Sequence, residues 1–153
     1  MNSSMSHRAK FLAIIVFLLL LICSCTSPPD TALVTQVIDG DTIVIEGGYK
    51  LRYIGIDTPE IHPQPEPFGV EALEANRQLV EGKRIHLEQD VSQTDKYGRL
   101  LRYVYVDGIL VNAELVRLGL AEAKAYPPDT KYQEDLEKLE REAKEAGRGM
   151  WSK

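Results

Sequence analysis

Cysteine, zinc-ligand patterns and membrane-length apolar runs are all scarce in this chain. Its two cysteines, Cys23 and Cys25, lie close together near the N-terminus, where targeting explains them better than a disulfide does. His62 and His86 lack the spacing of metal ligands, which argues against a zinc site built on them. The longest apolar run, residues 11–22, is shorter than the roughly 20 residues that a membrane-spanning helix needs.

The N-terminal residues predict a secretory signal of the bacterial lipoprotein type. Two basic residues precede the apolar run, which is the pattern of a signal peptide. The run ends in the sequence ICSC (residues 22–25), which resembles a lipobox cleaved after Ser24, with the lipid on Cys25. Two alternatives stay open: an ordinary signal peptide cut near Ser27, and a plain N-terminal anchor.

This interpretation divides the chain into three parts. Residues 1–24 are a signal peptide, residues 25–32 a short tether with two prolines, and residues 33–153 one domain. A domain of this size can bury a sizeable core. The protein is expected to be extracytoplasmic and anchored to a membrane through its N-terminal lipid, or secreted in the alternative, and to be a monomer.

Short alternating apolar runs in the first half of the domain predict strands. Turn signals such as Asp39-Gly40, Gly47-Gly48 and Gly98 separate several of them. The predicted strands are residues 33–38, 42–46, 49–56, 85–89 and 100–106.

Three segments predict helices. The first covers residues 69–80 and the second residues 112–118, each followed by a glycine. The third begins at Thr130, whose pairing with Gln133 has the pattern of a capping box, and it ends at Gly147. Periodicity alone therefore indicates an α+β fold with a strand-rich first half.

Charged residues stand at the ends of the predicted strands. Asp41 follows the first strand and Asp57 follows the third, and carboxylates at strand ends can meet to bind a hard cation. Arg52 and Arg99, on separate segments, could clamp a phosphate with planar, permanently charged guanidinium groups. Taken singly, Asp41 could be an ordinary turn-capping aspartate, a role for which Asp39 is an equal candidate. Each arginine, taken singly, could be an ordinary surface residue.

Five motifs together give the chain a family resemblance. It resembles the staphylococcal nuclease family over residues 35–152, and the order and spacing of the motifs make the match specific. The resemblance implies a five-stranded OB-fold-type β-barrel with three helices. The motifs are DGDT (residues 39–42), the segment from Arg52 to DTPE (residues 57–60), TDKYGR (residues 94–99), VNAELVRLGLA (residues 111–121) and Trp151-Ser152.

The resemblance also implies the residues that carry out the chemistry. Asp41, Asp57 and the backbone carbonyl of Thr58 match the positions that hold Ca²⁺. Arg52 and Arg99 match the arginines that bind the scissile phosphate. Glu60, which alone would be an unremarkable loop glutamate, matches the general base or the residue that orients the attacking water. Arg52, Glu60 and Arg99 are therefore the expected catalytic residues.

Three further residues match substrate-binding positions of the family. Lys96 and Tyr97 correspond to residues that hold a terminal phosphate of the nucleotide. Tyr126 lies where the family has two nearby tyrosines, but this chain has Ala125-Tyr126-Pro127-Pro128. Which of the two tyrosines Tyr126 replaces stays open.

The expected activity is that of a calcium-dependent, sugar-nonspecific nuclease. The resemblance implies hydrolysis of DNA and RNA, with single-stranded or denatured substrate favoured, to products with 3′-phosphates. The alternative is a catalytically silent, nucleic-acid-binding surface lipoprotein on the same fold. A net charge of −5 indicates weak long-range attraction of nucleic acid, although many of the acidic residues lie together on the third predicted helix.

Overall fold

The structure is a computed structural model that describes residues 30–152. The predicted signal peptide, the proposed lipidation residue Cys25 and most of the predicted tether lie outside this range. No helix within residues 30–152 is both long enough and apolar enough to cross a bilayer.

Within the described range the chain forms short strands in its first two thirds and helices between and after them. The strands are β1 (Thr31–Val37), β2 (Thr42–Ile45), β3 (Tyr49–Tyr53), β4 (Ile56–Asp57), β5 (Arg84–Glu88), β6 (Leu100–Val106), β7 (Ile109–Leu110) and β8 (Glu122–Ala123). The helices are α1 (Gly69–Val80), α2 (Val111–Arg117) and α3 (Gln133–Glu145), followed by one turn of 3₁₀ helix at Gly149–Trp151.

Five of the strands close into a barrel. Strands β1, β2 and β3 form an antiparallel meander, and β5 pairs antiparallel with both β1 and β6. The barrel closes because β3 also pairs with β6, in parallel, with Arg52 opposite Leu101. The predicted α+β class, with a five-stranded OB-fold-type barrel and three helices, is confirmed.

The barrel interior and the helices share one apolar core. Alternate side chains of the strands point inward, so that Val34, Ile43 and Leu51 are almost completely buried. Helix α2 adds Leu115 and helix α3 adds Leu136 to the same cluster. Burial of these aliphatic side chains supplies the main driving force for folding.

The largest differences between the predicted and the observed strand boundaries are in β1 and β3. Strand β1 begins at Thr31, so that the buried Ala32, predicted to be in the tether, belongs to the barrel. The strand predicted over residues 49–56 ends at Tyr53, because Gly55 has a φ of 78° and turns the chain. Ile56 therefore lies in β4, which pairs with β8 instead of continuing β3.

The predicted start of the third helix was also wrong. Helix α3 begins at Gln133, and no side chain caps its N-terminus. The backbone carbonyl of Thr130 accepts a hydrogen bond of 3.1 Å from the amide of Gln133, so that a turn precedes the helix in place of the predicted capping box.

Candidate active site

The Asp39–Asp41 turn presents one carboxylate to the interior. Asp39 Oδ1 accepts a hydrogen bond of 3.0 Å from the amide of Asp41, which makes Asp39 the turn residue. A Cβ on Gly40 would lie 2.7 Å from Thr58 Oγ1, so that only glycine lets the turn pack against Thr58. Asp41 is left with its side chain directed away from the turn.

The carboxylate of Asp41 is buried and held by hydroxyl and amide donors. Its Oδ2 accepts hydrogen bonds from the amide of Thr58 at 2.9 Å and from Thr58 Oγ1 at 3.0 Å, and its Oδ1 accepts one from Thr42 Oγ1 at 3.1 Å. Burial raises the pKa of Asp41 to about 7, although the charge of Arg52 opposes that shift. A carboxylate in this environment gains stability in its ionised form from any additional cation placed beside it.

Arg52 joins the two carboxylates that were predicted to bind metal. Its Nη1 lies 2.9 Å from Asp41 Oδ2, and its Nη2 lies 2.7 Å from Asp57 Oδ1. The same guanidinium donates to the carbonyl oxygens of Tyr53 at 3.1 Å and Ile56 at 3.0 Å. Because both carboxylates contact one planar group, Asp41 and Asp57 lie close together, as the sequence predicted.

Asp57 also contacts a residue that the sequence analysis missed. Strands β4 and β8 pair with Asp57 opposite Glu122, and Lys124 follows β8 directly. Lys124 Nζ lies 2.6 Å from Asp57 Oδ2. Lys124 is distant from Asp57 in sequence and belongs to none of the motifs, so that no local signal could have identified it.

Arg99 is held in place by Asp95 of the same loop. Asp95 Oδ2 accepts a hydrogen bond of 2.7 Å from Arg99 Nε, and Asp95 Oδ1 accepts from the amides of Tyr97 and Arg99. Tyr97 is exposed, with Lys96 Nζ 5.0 Å and the Arg99 guanidinium 5.5 Å from the centre of its ring. The loop therefore places two cationic side chains and an aromatic ring close together, and the carboxylate of Asp95 holds the loop in this conformation. The sequence analysis did not identify this role of Asp95.

The backbone around Glu60 is fixed by a short loop. The amide of Glu60 donates to Glu66 Oε2 at 2.9 Å, and its carbonyl oxygen accepts from the amide of Glu66 at 2.8 Å. Gly69, at the start of α1, packs so closely that a Cβ there would lie 2.6 Å from the carbonyl oxygen of Glu60. Glu60 is exposed, and its position is set by these two contacts.

One cavity of about 580 Å³ collects almost all of the predicted site residues. Thr58 is the exception: it is buried behind Asp41 and orients that carboxylate, and its proposed role as a carbonyl ligand stays a prediction. The predicted residues that line the cavity are Asp41, Arg52, Asp57, Glu60, Lys96, Tyr97, Arg99 and Tyr126.

The donor set of this cavity fits a hard cation with few protein ligands. Within residues 30–152 no three His, Cys, Asp or Glu side chains are grouped so that they could hold a metal by themselves. Asp41 and Asp57 nevertheless offer two carboxylates at one place, and oxygen ligands are those that Ca²⁺ prefers. The arrangement fits a cation that completes its coordination with oxygens from water and substrate.

Two buried asparagines hold the site together, and the sequence analysis predicted this role for neither of them. Asn76 of α1 donates to the carbonyl oxygen of Asp39 and accepts from the Tyr53 hydroxyl. Asn112 of α2 donates to the carbonyl oxygen of Ile54 at 2.8 Å and accepts from the amide of Val104. Helices α1 and α2 are thereby bonded to the segments that carry Asp41 and Arg52.

Known proteins are similar to this chain over most of its length. The family model described as staphylococcal nuclease homologue matches residues 50–153. A thermonuclease of Staphylococcus hyicus is 39% identical over 125 residues, covering 78% of this chain and 74% of that protein. A thermonuclease of Staphylococcus intermedius is 38% identical over 130 residues, covering 81% of this chain and 77% of that protein.

A Bacillus protein gives a similar result over a smaller share of its own length. The endonuclease YncB of Bacillus subtilis is 44% identical over 126 residues, covering 77% of this chain and 60% of that protein. Together with the barrel and the clustered acid and arginine side chains, these matches show that the chain belongs to the staphylococcal nuclease homologue family.

Proposed function

We propose that this chain is a calcium-dependent nuclease that hydrolyses DNA and RNA without regard to the sugar and leaves 3′-phosphates. Membership of its family makes the chain a nuclease, a hydrolase of phosphodiester bonds. The observation that carries the finer proposal is the Arg52 guanidinium, bonded to both Asp41 and Asp57 at the wall of a cavity that also receives Arg99 and Glu60.

The two arginines would bind the scissile phosphate between them. Guanidinium groups offer several donors in one plane and stay protonated, since their pKa lies near 12.5–13.8. Arg52 and Arg99 would therefore stabilise the negative charge that grows on the phosphoryl oxygens as water attacks. For the same reason, Arg99 is better suited to stabilising charge than to donating a proton to the leaving oxygen.

Glu60 would act on the attacking water. A general base must come within about 2.6–3.2 Å of the proton it removes, or orient the water from that distance. Glu60 lines the cavity on an exposed loop whose backbone is fixed by Glu66 and Gly69. Its carboxylate is therefore accessible to solvent and extends from a fixed backbone position.

Asp41 and Asp57, with the carbonyl oxygen of Thr58, would hold the calcium ion. When bound, the ion would supply positive charge that stabilises the negative charge developing on the phosphoryl group as water attacks. Calcium tolerates an irregular shell of six to eight oxygens, whereas magnesium demands a regular octahedron. We therefore expect more activity with calcium than with magnesium, because a mixed shell of carboxylate, backbone carbonyl, water and substrate oxygens suits the ion that tolerates irregular geometry.

The test uses the soluble domain from Thr26 onward and denatured DNA and RNA of matched sequence. We expect cleavage of both with calcium, little with magnesium and none after chelation. Products with 3′-phosphates have free 5′-hydroxyls, which polynucleotide kinase labels without prior dephosphorylation. Absence of cleavage with intact binding would instead support the silent nucleic-acid-binding lipoprotein.

Substitution of the metal ligands gives a second, independent test. Asp41→Ala and Asp57→Ala should each weaken calcium binding, measured by calorimetry or by NMR titration, and should also reduce turnover. Unchanged calcium affinity in both variants would remove the two residues from the metal site.

We also propose that the protein is a monomer anchored to a membrane outside the cytoplasm through lipid on Cys25. The supporting feature is the lipobox-like sequence at residues 22–25, since Cys25 lies outside the described residues. Cys25→Ser should abolish partition into the detergent phase, whereas Cys23→Ser should not, and neither should change activity per molecule. An unmodified mature N-terminus downstream of Cys25, found by mass spectrometry, would instead show a secreted protein.

A further inference from the structure

Asp57 is contacted by two cations, one on each carboxylate oxygen. Arg52 Nη2 lies 2.7 Å from Oδ1, and Lys124 Nζ lies 2.6 Å from Oδ2. Asp41 differs, because among residues 30–152 its carboxylate contacts a single cation, Arg52, together with amide and hydroxyl donors. Lys124 therefore occupies the Asp57 oxygen that Arg52 leaves free.

The two cations are held very differently. The side chain of Arg52 is only 12% exposed, and its guanidinium is fixed by two backbone carbonyl oxygens in addition to the carboxylates. The side chain of Lys124 is 49% exposed, and besides Asp57 its ammonium has the ring of Tyr126 at 5.7 Å. Lys124 can leave Asp57 by rotating a flexible side chain into solvent, whereas Arg52 cannot.

The backbone keeps Lys124 next to Asp57 even when its side chain moves away. Strands β4 and β8 pair with Ile56 opposite Ala123, and the amide of Lys124 donates to the carbonyl oxygen of Gly55 at 2.9 Å. Because the backbone tethers Lys124 beside Asp57, the effective concentration of its ammonium group at this carboxylate is high.

We propose that Lys124 is a displaceable counter-ion of Asp57 that competes with the divalent cation for the same carboxylate. This inference rests on the proposed calcium site. A cation that binds Asp57 through Oδ2 must displace the ammonium, and like charges that stay close repel each other. Lys124 thereby neutralises Asp57 in the metal-free protein and lowers the affinity of the site for calcium.

Calcium titrations of the soluble domain, followed by NMR, test this competition. Lys124→Met removes the ammonium but keeps an unbranched side chain of similar length. Loss of an exposed ion pair and of like-charge repulsion should tighten calcium binding by about three- to tenfold. In the wild type, the ε-methylene resonances of Lys124 should shift with the same dissociation constant as the amide of Thr58.

Lys131→Met is the matched control. Lys131 is also about half exposed, with 51% of its side chain accessible, and it pairs with the carboxylate of Glu88 outside the cavity. The control removes the same charge from the protein without touching Asp57. Its calcium affinity should equal that of the wild type.

The possible results separate this inference from the proposed function. Equal calcium affinity in wild type and Lys124→Met, or weaker binding in Lys124→Met, would overturn the competition and leave the calcium site intact. Tightening of the same size in Lys131→Met would assign the effect to overall charge and would also overturn it. If neither wild type nor Lys124→Met binds calcium while both are folded, the calcium site itself is wrong, and the inference falls with it.

Discussion

Asn76 joins helix α1 to the turn that presents Asp41, since its side-chain amide donates a hydrogen bond of 3.0 Å to the carbonyl oxygen of Asp39. The amide oxygen of Asn76 accepts a second hydrogen bond, of 2.8 Å, from the buried hydroxyl of Tyr53. One side chain with no solvent exposure thus bonds a helix, a turn and a barrel strand at the edge of the site.

Asn76→Ala should destabilise the protein by about 2–6 kcal/mol. The substitution leaves the Tyr53 hydroxyl and the Asp39 carbonyl group without partners, and each unsatisfied buried group costs about 1–3 kcal/mol. Urea denaturation measures the change. Gln78→Ala, at an exposed position of the same helix, is the control and should change stability by less than about 0.5 kcal/mol. A loss below about 1 kcal/mol for Asn76→Ala would show that water replaces its hydrogen bonds.

Gly69→Ala should lower kcat without weakening calcium binding. The new Cβ would lie 2.6 Å from the carbonyl oxygen of Glu60, so that the backbone of Glu60 must shift. Misplacement of a catalytic group by about 1 Å can cost about 100-fold in rate, and we expect a loss of about 10- to 100-fold. Single-turnover kinetics measure the loss. Val70→Ala, at the exposed neighbouring position, should have the wild-type rate, and equal rates in both variants would contradict the role of this contact.

Arg99→Ala should act mainly on the transition state. Loss of a well-placed donor that stabilises developing charge typically costs about 10²–10³ in rate. We expect a fall of that size in kcat, with the dissociation constant of a non-cleavable oligonucleotide changed by less than about threefold. Arg99→Lys keeps the charge but not the planar donor set, so its kcat should lie between the values of Arg99→Ala and the wild type. Equal losses in binding and in kcat/KM would instead show that Arg99 binds the substrate and the transition state equally well.

The pKa of Asp95 should lie below its ordinary value of 3.8. Partial burial raises this pKa, but the hydrogen bonds from the Arg99 side chain and from the amides of Arg99 and Tyr97 outweigh that effect and lower it. Since the pKa is lower in the folded state than in the unfolded state, Asp95 stabilises the fold at neutral pH. That contribution is lost as pH falls through the lowered, folded-state pKa.

Carboxyl ¹³C NMR titration measures the pKa of Asp95 directly. In Arg99→Ala the pKa should rise, because the strongest donor to the carboxylate is gone. Arg77→Ala is the control, since Arg77 pairs with Glu74 on α1 and does not contact Asp95. A pKa for Asp95 at or above 3.8 in the wild type would contradict the proposed anchoring of the Arg99 loop.

Local patterns were sufficient to predict the strand and helix segments, whereas the closed barrel and the roles of most site residues were implied by the family resemblance. Alternation predicted the five barrel strands, and glycine stops predicted the three helices. The positions of Asp41 and Asp57 at strand ends indicated that they could meet, and Arg52 indeed bonds to both. The strand and helix segments could be predicted because each depends on residues a few positions apart in the chain. The proximity of Asp41 and Asp57 depends on the fold, and the sequence indicated it only as a possibility.

Lys124 and Asn76 could not be predicted, because their importance depends on residues that are distant in sequence. Lys124 contacts Asp57 only through the pairing of β4 with β8, and nothing around Lys124 marks it as different from other surface lysines. Asn76 lies on a helix face that would otherwise be apolar, and its partners are in the Asp39–Asp41 turn and in strand β3. A polar residue at a core position was the one available signal.

The sequence by itself determined the strands, the helices and the Asp39–Asp41 turn, because side-chain alternation, helix stops and the hydrogen bond from the Asp41 amide to Asp39 are local. Only the tertiary structure decided that Arg99 and Arg52 line one cavity. The parallel pairing of β3 with β6 closes the barrel and sets Arg52 opposite Leu101, two residues from Arg99. Such a strand pairing depends on closing a long loop and burying a shared core, so that its register follows from the packing of the whole barrel and not from any short segment.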